Sequence, residues 1–230
     1  MQIRSGVELE RNILLTGFEP FAGDEMNPSG EAAKALDGKK VSGYNICGVV
    51  LPVEWGTTAR AIEEAIDNVD PALVLSLGLS SGRPELNVEK VAVNYMSRAK
   101  DNREVIPETS IICGDGPDAY FATLPVEDIV EELRKKGIPA RLSLSAGGYL
   151  CNYTFYTASN HVAKKGQGKE VPVGFIHVPA TPGMVAESGK SMASMSLEMI
   201  QEGVLTTISI SIRILARQNA KRRIFVESGE

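Results

Sequence analysis

Cys151 stands where a thiol can act as a nucleophile. A strand-like run gives way to the small residues at 145–148, and a helical pattern begins at Tyr149. A thiol in the first turn of a helix lies near the positive end of the helix dipole and near unpaired N–H groups, which favour the thiolate. The glycines at 147 and 148 also leave backbone N–H groups open to a developing oxyanion. The pattern makes Cys151 a candidate nucleophile, with a small buried core residue as the alternative interpretation.

His177 and Glu89 are candidates for acid and base chemistry beside that thiol. His177 lies near the end of an apolar run at 173–178, where its imidazole could take a thiol proton and later protonate a leaving amine. Glu89 lies inside another apolar run, so its carboxylate must either face solvent or find a partner. Nucleophile, base and orienting acid come from separate strand ends in α/β enzymes, and we therefore expect these two residues to meet Cys151. The other histidine, His161, lies on a helical pattern beside lysines and is predicted to be a surface residue.

Phe18 and Phe21 lie in a Gly- and Pro-rich loop after the first strand-like run. The carboxyl ends of strands are where open α/β sheets bind ligands, so two aromatic rings there could wall a flat apolar pocket. The alternative is that they only pack the loop onto the sheet. Asn27 follows, and the sequence Asn-Pro-Ser at 27–29 predicts a turn and the N-cap of a helix.

Composition and spacing argue against several other classes of function. The net charge is −5 and the only basic cluster lies at 221–223, so nucleic-acid binding is not expected. The Gly/Ser-rich turn at 78–83 lacks the lysine and the spacing of a phosphate-binding loop. The 3 cysteines and 2 distant histidines fit no disulfide framework and no zinc site, so we expect reduced thiols and no metal. No unbroken run of about 18 apolar residues and no secretory signal is found, which predicts a cytoplasmic protein without membrane contact.

The elements that would position these residues alternate along the chain. Strand-like apolar runs and helical periodicities interleave, which predicts an α/β fold with a sheet covered on both faces. Only eight residues join the runs at 73–79 and 88–94, too few for a helical crossover, so a mixed sheet is expected. The predicted strands are 12–16, 44–53, 73–79, 88–94, 140–145 and 173–178, and the predicted helices are 29–36, 57–68, 126–136, 149–165 and 191–218.

The length of 230 residues fits one domain. We expect a single domain over 1–230, with an N-terminal extension at 1–11 and a polar C-terminal tail at 214–230 that begins as a helix end and continues as disorder. The Pro-containing segments 101–117 and 179–190 are predicted to be long surface loops, which in compact domains are often functional.

These segments together resemble the pyroglutamyl peptidase type I family of cysteine peptidases, also called pyrrolidone-carboxylate peptidases. The matching segments occur in the family's order between residues 13 and 203. They are 16–21, 27–29, 82–83, 88–94, 119–125, 145–147, 149–153 and 174–179. The resemblance implies a three-layer αβα sandwich around a twisted mixed sheet, no cofactor, a homotetramer, and peptides with an N-terminal pyroglutamate as substrates.

The resemblance also implies catalytic roles. Cys151 would attack the carbonyl that links pyroglutamate to the next residue and form an acyl-enzyme. His177 would act first as base and then as acid, with Glu89 holding the imidazole, and water would release free pyroglutamate.

Binding roles follow from the same resemblance. Phe18 and Phe21 would sandwich the five-membered lactam, and Asn27 would help to order the site. Arg98 would lie near the substrate, although its run is one residue shorter than the family's and lacks a proline. Leu144 stands where the family has an asparagine.

Two other functions remain open on the sequence alone. One is a protein that binds pyroglutamyl peptides without hydrolysing them, which the altered run around Arg98 suggests. The other is a cysteine amidase that acts on a different cyclic or N-acyl group. Ligand binding without turnover would indicate the first, and preference for prolyl or acetylated termini would indicate the second.

Overall fold

The computed structural model describes residues 11–166 and 171–228, so most of the predicted extension at 1–11 lies outside the described residues. The strands are β1 (Arg11–Phe18), β2 (Lys40–Val41), β3 (Tyr44–Leu51), β4 (Val74–Leu79), β5 (Leu86–Glu89), β6 (Val91–Val93), β7 (Ala119–Phe121), β8 (Ala140–Ser143) and β9 (Val173–Val178). The helices are α1 (Pro28–Leu36), α2 (Thr57–Val69), α3 (Val126–Lys135), α4 (Leu150–Lys165), α5 (Pro182–Ser188) and α6 (Leu197–Ser228).

The main sheet has seven strands in the order β2-β3-β1-β4-β9-β5-β8. β2 runs antiparallel to β3 and β5 runs antiparallel to β9, whereas the other neighbours are parallel. The predicted α/β fold with a mixed sheet in a single domain is confirmed. The predicted runs at 12–16, 44–53, 73–79, 140–145 and 173–178 each overlap a strand of this sheet.

Helices cover both faces of the sheet. The chain passes from β1 through α1 to β3 on one side and then from β3 through α2 to β4 on the other side. Because parallel crossovers are right-handed, these two opposite steps place α1 and α2 on opposite faces. α4 packs against α2, while α6 packs against α1 and α3. β4 and β9 lie in the middle and are buried along their whole length, as expected of strands with helices on both sides.

The run at 88–94 is not one strand, contrary to prediction. β5 ends at Glu89 in the main sheet, and β6 pairs with β7 in a separate two-stranded sheet. Lys90 lies at the break, where its N–H donates to the Ser143 carbonyl at 2.8 Å and its carbonyl accepts from the Ala122 N–H at 2.9 Å. The backbone at Lys90 therefore leaves one sheet and joins the other, a change of partner that apolar alternation does not signal.

The segment 179–190 is not only a loop, because it contains α5. Thr181 caps this helix by accepting a hydrogen bond from the Met184 N–H at 3.4 Å, and Gly189 ends it in the left-handed conformation with φ 62°. A threonine cap, a proline at the first helical position and a terminal glycine are helix signals that the reading as a loop overlooked.

The last helix differs from the prediction at both ends and is apolar. α6 begins at Leu197 rather than at 191 and runs to Ser228, through most of the predicted tail at 214–230. Its segment Leu197–Arg217 is long and apolar enough by length and composition to cross a bilayer, with a mean hydropathy of 1.3, although it has no unbroken apolar run. Ile200, Val204 and Ile208 are fully buried, so the helix packs into the domain as a core helix does.

Candidate active site

A cavity of about 160 Å³ lies at the carboxyl ends of β1, β4 and β9, beside the first turn of α4. The active sites of open α/β sheets lie at such strand ends. Five of the seven predicted site residues line this cavity, namely Phe18, Phe21, Asn27, Cys151 and His177.

His177 and Glu89 form a buried hydrogen-bonded pair. Glu89 lies opposite Phe175 in the antiparallel β5–β9 pair, so its side chain is the diagonal neighbour of His177 on the same face. The His177 Nδ1 and Glu89 Oε1 atoms are 2.8 Å apart, and the Glu89 side chain is fully buried. Glu89 Oε2 is buried without a hydrogen-bond partner among the described residues. A carboxylate in such a place is costly unless it is paired with a positive group, so His177 is its essential partner.

The surroundings of His177 favour its protonated form. Burial lowers the pKa of His177, but the charge and hydrogen bond of Cys151 and those of Glu89 outweigh burial and raise the pKa to about 9. A protonated imidazole beside a thiol stabilises the thiolate, the nucleophilic form of cysteine.

Gly78 makes room for the Cys151 thiol. It lies directly opposite His177 in the β4–β9 pair. A Cβ atom at this position would lie 2.6 Å from the Cys151 Sγ and 2.8 Å from the Phe175 Cζ, closer than atoms can approach. Gly78 belongs both to the predicted strand 73–79 and to the Gly/Ser-rich turn at 78–83, and neither prediction gave it this role. A glycine at the end of a buried strand is the signal that could have revealed it.

The first turn of α4 is fixed by Asn152, which the sequence analysis did not single out. Its buried side chain accepts a hydrogen bond from the Val93 N–H at 2.9 Å and donates to the Val93 and Tyr95 carbonyls at 2.9 and 2.8 Å. The side chain of Tyr149 at the N-cap does not cap the helix. The N–H groups of Leu150 and Cys151, residues that line the cavity, therefore have no partner within the helix.

Aromatic rings form one wall of the cavity. Phe18 is 3% exposed, whereas Phe21 is partly exposed and lies 6.5 Å from the ring of Tyr149. Trp55 packs edge-on against Tyr149 at 5.3 Å. Both phenylalanines line the cavity, but Phe18 is the last residue of β1 rather than part of the predicted loop, and Phe21 lies in the loop that follows.

Asn27 organises the loop that carries these rings. Its Oδ1 accepts hydrogen bonds from the Ser29 N–H at 3.1 Å and the Ser29 hydroxyl at 2.7 Å, so it is the N-cap of α1, as predicted. Its amide nitrogen donates to the Glu19 carbonyl at 3.0 Å. Ser29 in turn accepts from the Phe18 N–H at 3.1 Å. One asparagine therefore joins the start of α1 to the end of β1.

Arg98 is not part of the cavity wall. Its side chain is exposed, and it is not among the described residues that line the cavity. The neighbouring loop is fixed instead by Asp101, which accepts a hydrogen bond from the Trp55 N–H at 2.9 Å, and by Asn102, whose amide donates to the Glu19 carboxylate at 3.2 Å. A contact between Arg98 and a substrate stays a prediction.

Comparisons with known proteins identify the family of this chain. A family model described as pyroglutamyl peptidase matches residues 11–214. The pyrrolidone-carboxylate peptidase of Cupriavidus taiwanensis is 40% identical over 201 residues, which cover 87% of this chain and 92% of that protein. That of Pyrococcus furiosus is 39% identical over 207 residues, covering 88% and 99%. The solved structure of the pyrrolidone carboxyl peptidase from Thermococcus litoralis superposes with a TM-score of 0.85 at 37% identity, covering 90% of this chain and 96% of that chain. As the sequence resemblance predicted, the chain belongs to the pyroglutamyl peptidase family.

Proposed function

We propose that this chain is a cysteine exopeptidase that hydrolyses the amide bond after an N-terminal pyroglutamyl residue. Its relatives are peptidases of this class, and the chain is accordingly an enzyme, a hydrolase. The observation that carries the mechanism is the position of Cys151 in a first helical turn, beside an imidazole that is hydrogen-bonded to a fully buried carboxylate.

The first half of the reaction forms a thioester. The Cys151 thiolate attacks the carbonyl carbon of pyroglutamate, a C–S bond forms, and the carbonyl oxygen becomes an oxyanion. The unpaired N–H groups of Leu150 and Cys151 are the candidate donors to that oxyanion. When the tetrahedral intermediate collapses, the C–N bond breaks and His177 gives its proton to the leaving amine.

The second half of the reaction hydrolyses the thioester. Neutral His177 takes a proton from water, and the hydroxide adds to the acyl carbon. The C–S bond then breaks, free pyroglutamate leaves, and Cys151 returns as a thiolate beside the imidazolium. Glu89 keeps the imidazole in one orientation and stabilises its positive charge in both halves.

The cavity suits a flat, neutral ring. A pyroglutamyl lactam carries no charge, and the described residues that line the cavity include Phe18, Phe21, Val53 and Leu79 but no carboxylate. An aminopeptidase that holds a free ammonium group needs such a carboxylate or a metal. We therefore assign the lactam to the space between Phe18 and Phe21, with Asn27 holding the wall in place.

The same proposal places the enzyme in the cytoplasm as a homo-oligomer, a homotetramer by the family resemblance. Among the described residues no two cysteines form a disulfide, as suits a reducing compartment. Val93 and Phe121, on the β6–β7 sheet, are exposed at 37% and 68% and offer an apolar surface for a second copy. Sedimentation of the purified chain gives the number of subunits.

The proposed activity is tested by the release of a chromophore from a pyroglutamyl amide, with a prolyl amide as control. We expect cleavage of the pyroglutamyl amide alone, loss of activity after thiol alkylation, and no effect of a chelator. Binding of a pyroglutamyl peptide without turnover would replace the proposal with a binding protein. Equal or faster cleavage of the prolyl or an acetylated amide would replace it with another cysteine amidase.

A further inference from the structure

A second, more open cavity of about 580 Å³ adjoins the candidate active site. It lies between the turn at 82–85 and the segment 141–145. That segment continues directly into Ala146 and Gly147, which line the first cavity. The two cavities are thus neighbours along one loop, the loop that leads to Cys151.

The strand register places this second cavity on the catalytic face of the sheet. Asn87 on β5 lies directly opposite His177 on β9, and it is also directly opposite Arg141 on β8. Side chains at paired positions project from the same face, and neighbouring strands are about 4.8 Å apart. These three residues therefore form a row across three strands. By the spacing of strand backbones, the Cα atoms of Asn87 and Arg141 lie about 5 Å and about 10 Å from the Cα atom of His177.

Arg83 is held over this row. Its guanidinium donates to the Asn87 Oδ1 at 2.8 Å, and the Asn87 amide donates to the Glu85 carbonyl at 2.9 Å. Arg141 has a carboxylate partner, since it lies 3.6 Å from Glu85. Arg83 has no carboxylate within ion-pair distance among the described residues. It is a half-buried, oriented cation with donor groups to spare.

We propose that this second cavity binds the residues that follow pyroglutamate, and that Arg83 recognises the carboxylate of the first of them when the substrate is a pyroglutamyl dipeptide. The inference rests on the proposed function. His177 must protonate the leaving nitrogen, so that nitrogen lies at one end of the row. The carboxylate carbon of the leaving residue is only about 2.5 Å from its nitrogen, within reach of a guanidinium anchored on the next residue of the row. Arg forms strong bidentate hydrogen bonds with carboxylates.

Leu144 completes the cavity. Its side chain is 69% exposed, which is unusual for a leucine, and it lines the cavity opposite Arg83. Such a side chain gains by covering an apolar group of the leaving residue. The preferred substrates are therefore pyroglutamyl dipeptides in which an apolar residue carries a free carboxylate.

The test compares kcat/KM for pyroglutamyl-leucine, pyroglutamyl-leucine amide and a pyroglutamyl coumarylamide. The wild-type enzyme is expected to favour the acid over the amide about tenfold, the effect of one charge-assisted contact. Arg83→Gln brings this ratio close to one, Arg83→Lys leaves a smaller preference, and Arg213→Gln, a matched control on α6, leaves the ratio unchanged. The readout is a ratio, so a general loss of activity in a variant does not affect it.

The inference would be overturned if the wild-type enzyme cleaved the acid and the amide with equal kcat/KM. It would also be overturned if Arg83→Gln kept the wild-type preference for the acid. No cleavage of any of the three substrates by folded enzyme would instead overturn the proposed function. If the enzyme cleaves the coumarylamide but does not discriminate between the acid and the amide, the inference fails and the proposed function stands. Leu144→Ser adds an independent readout, because it is expected to reduce the preference for leucine over glycine in the leaving position.

Discussion

Two histidines in this protein are paired with carboxylates, but the two pairs differ in burial and in the groups around them. His177 and Glu89 have their nitrogen and oxygen 2.8 Å apart, with side-chain exposures of 9% and 0%. His161 and Asp67 are 2.6 Å apart, with exposures of 19% and 45%. His161 is thus partly buried against a partner rather than a simple surface residue as predicted. Distance alone does not separate a candidate catalytic pair from a structural one.

The surroundings separate the two pairs. Asp67 also binds Lys165, and the hydrogen bond from Lys165, followed by that from His161, lowers the pKa of Asp67. Its charge is shared with a lysine and with water, and exposed pairs of this kind contribute little. Among the described residues the Glu89 carboxylate is bonded to His177 alone, and His177 has the Cys151 thiol and an apolar cavity beside it. Burial, a single partner and an adjacent thiol are the features on which the proposed reactivity of the first pair rests.

The largest effect is expected from Cys151→Ser. Without the thiolate, the site has no strong nucleophile beside His177 and Glu89. We therefore expect kcat for a pyroglutamyl amide to fall at least about a thousandfold. The measurement is steady-state hydrolysis, with circular dichroism to show that the variant is folded. Cys113→Ser, at a thiol outside the cavity lining, is the matched control and keeps its activity. Normal turnover by the Cys151 variant would remove this residue from the mechanism.

Glu89→Gln and Asp67→Asn compare the two pairs directly. Each change removes a carboxylate charge from a histidine while keeping the shape of the side chain. We expect kcat to fall roughly a hundredfold or more in Glu89→Gln, because the imidazolium loses its counter-charge and its fixed orientation. Asp67→Asn stays within about twofold of the parent, as surface pairs do. Similar losses in both variants would show that the difference in burial is irrelevant to the reaction.

Gly78→Ala fills the space beside His177 in which the Cys151 thiol lies, a feature that separates the surroundings of His177 from those of His161. The added methyl group overlaps the Cys151 Sγ and the Phe175 ring. Overpacking of this kind costs about 1–3 kcal/mol of the free energy of unfolding, and the displaced thiol lowers kcat. Thermal unfolding and kcat, measured together, check both effects. A variant with parental kcat would show that the thiol does not need its position against β4.

The pH dependence is the smallest of the expected effects. His177 has a pKa raised from 6.5 to about 9, so its imidazolium form stabilises the fold fully below pH 6.5, and this contribution is lost as the pH rises through about 9. The leaving amine needs the same proton, and kcat/KM is therefore expected to decline above pH 9. Glu89→Gln moves this alkaline limb to lower pH by about one unit or more. An alkaline limb that does not move would mean that a group other than His177 titrates there.

The sequence predicted residues at strand ends and helix starts better than it predicted contacts that depend on strand register and helix packing. Cys151, His177 and Asn27 lie at strand ends and helix starts, where local signals are strong, and the structure brings them to one cavity. The diagonal contact between Glu89 and His177 depends on an antiparallel register that no local pattern reveals. The same holds for Gly78, whose role appears only once α4 packs on β4. Arg98 is not among the described residues that line the cavity, and its contact with a substrate stays a prediction from the resemblance alone.

The central claim is that Cys151 carries the acyl group, and trapping that intermediate tests the claim most directly. The enzyme is mixed with a large excess of pyroglutamyl amide, quenched in acid within the first turnovers, digested with pepsin and analysed by mass spectrometry. We predict one pyroglutamyl group on the peptide that contains Cys151 and none on the peptides that contain Cys47 or Cys113. A pyroglutamyl group on another residue, or hydrolysis without any acylated peptide under conditions in which thioesters survive, would contradict the account.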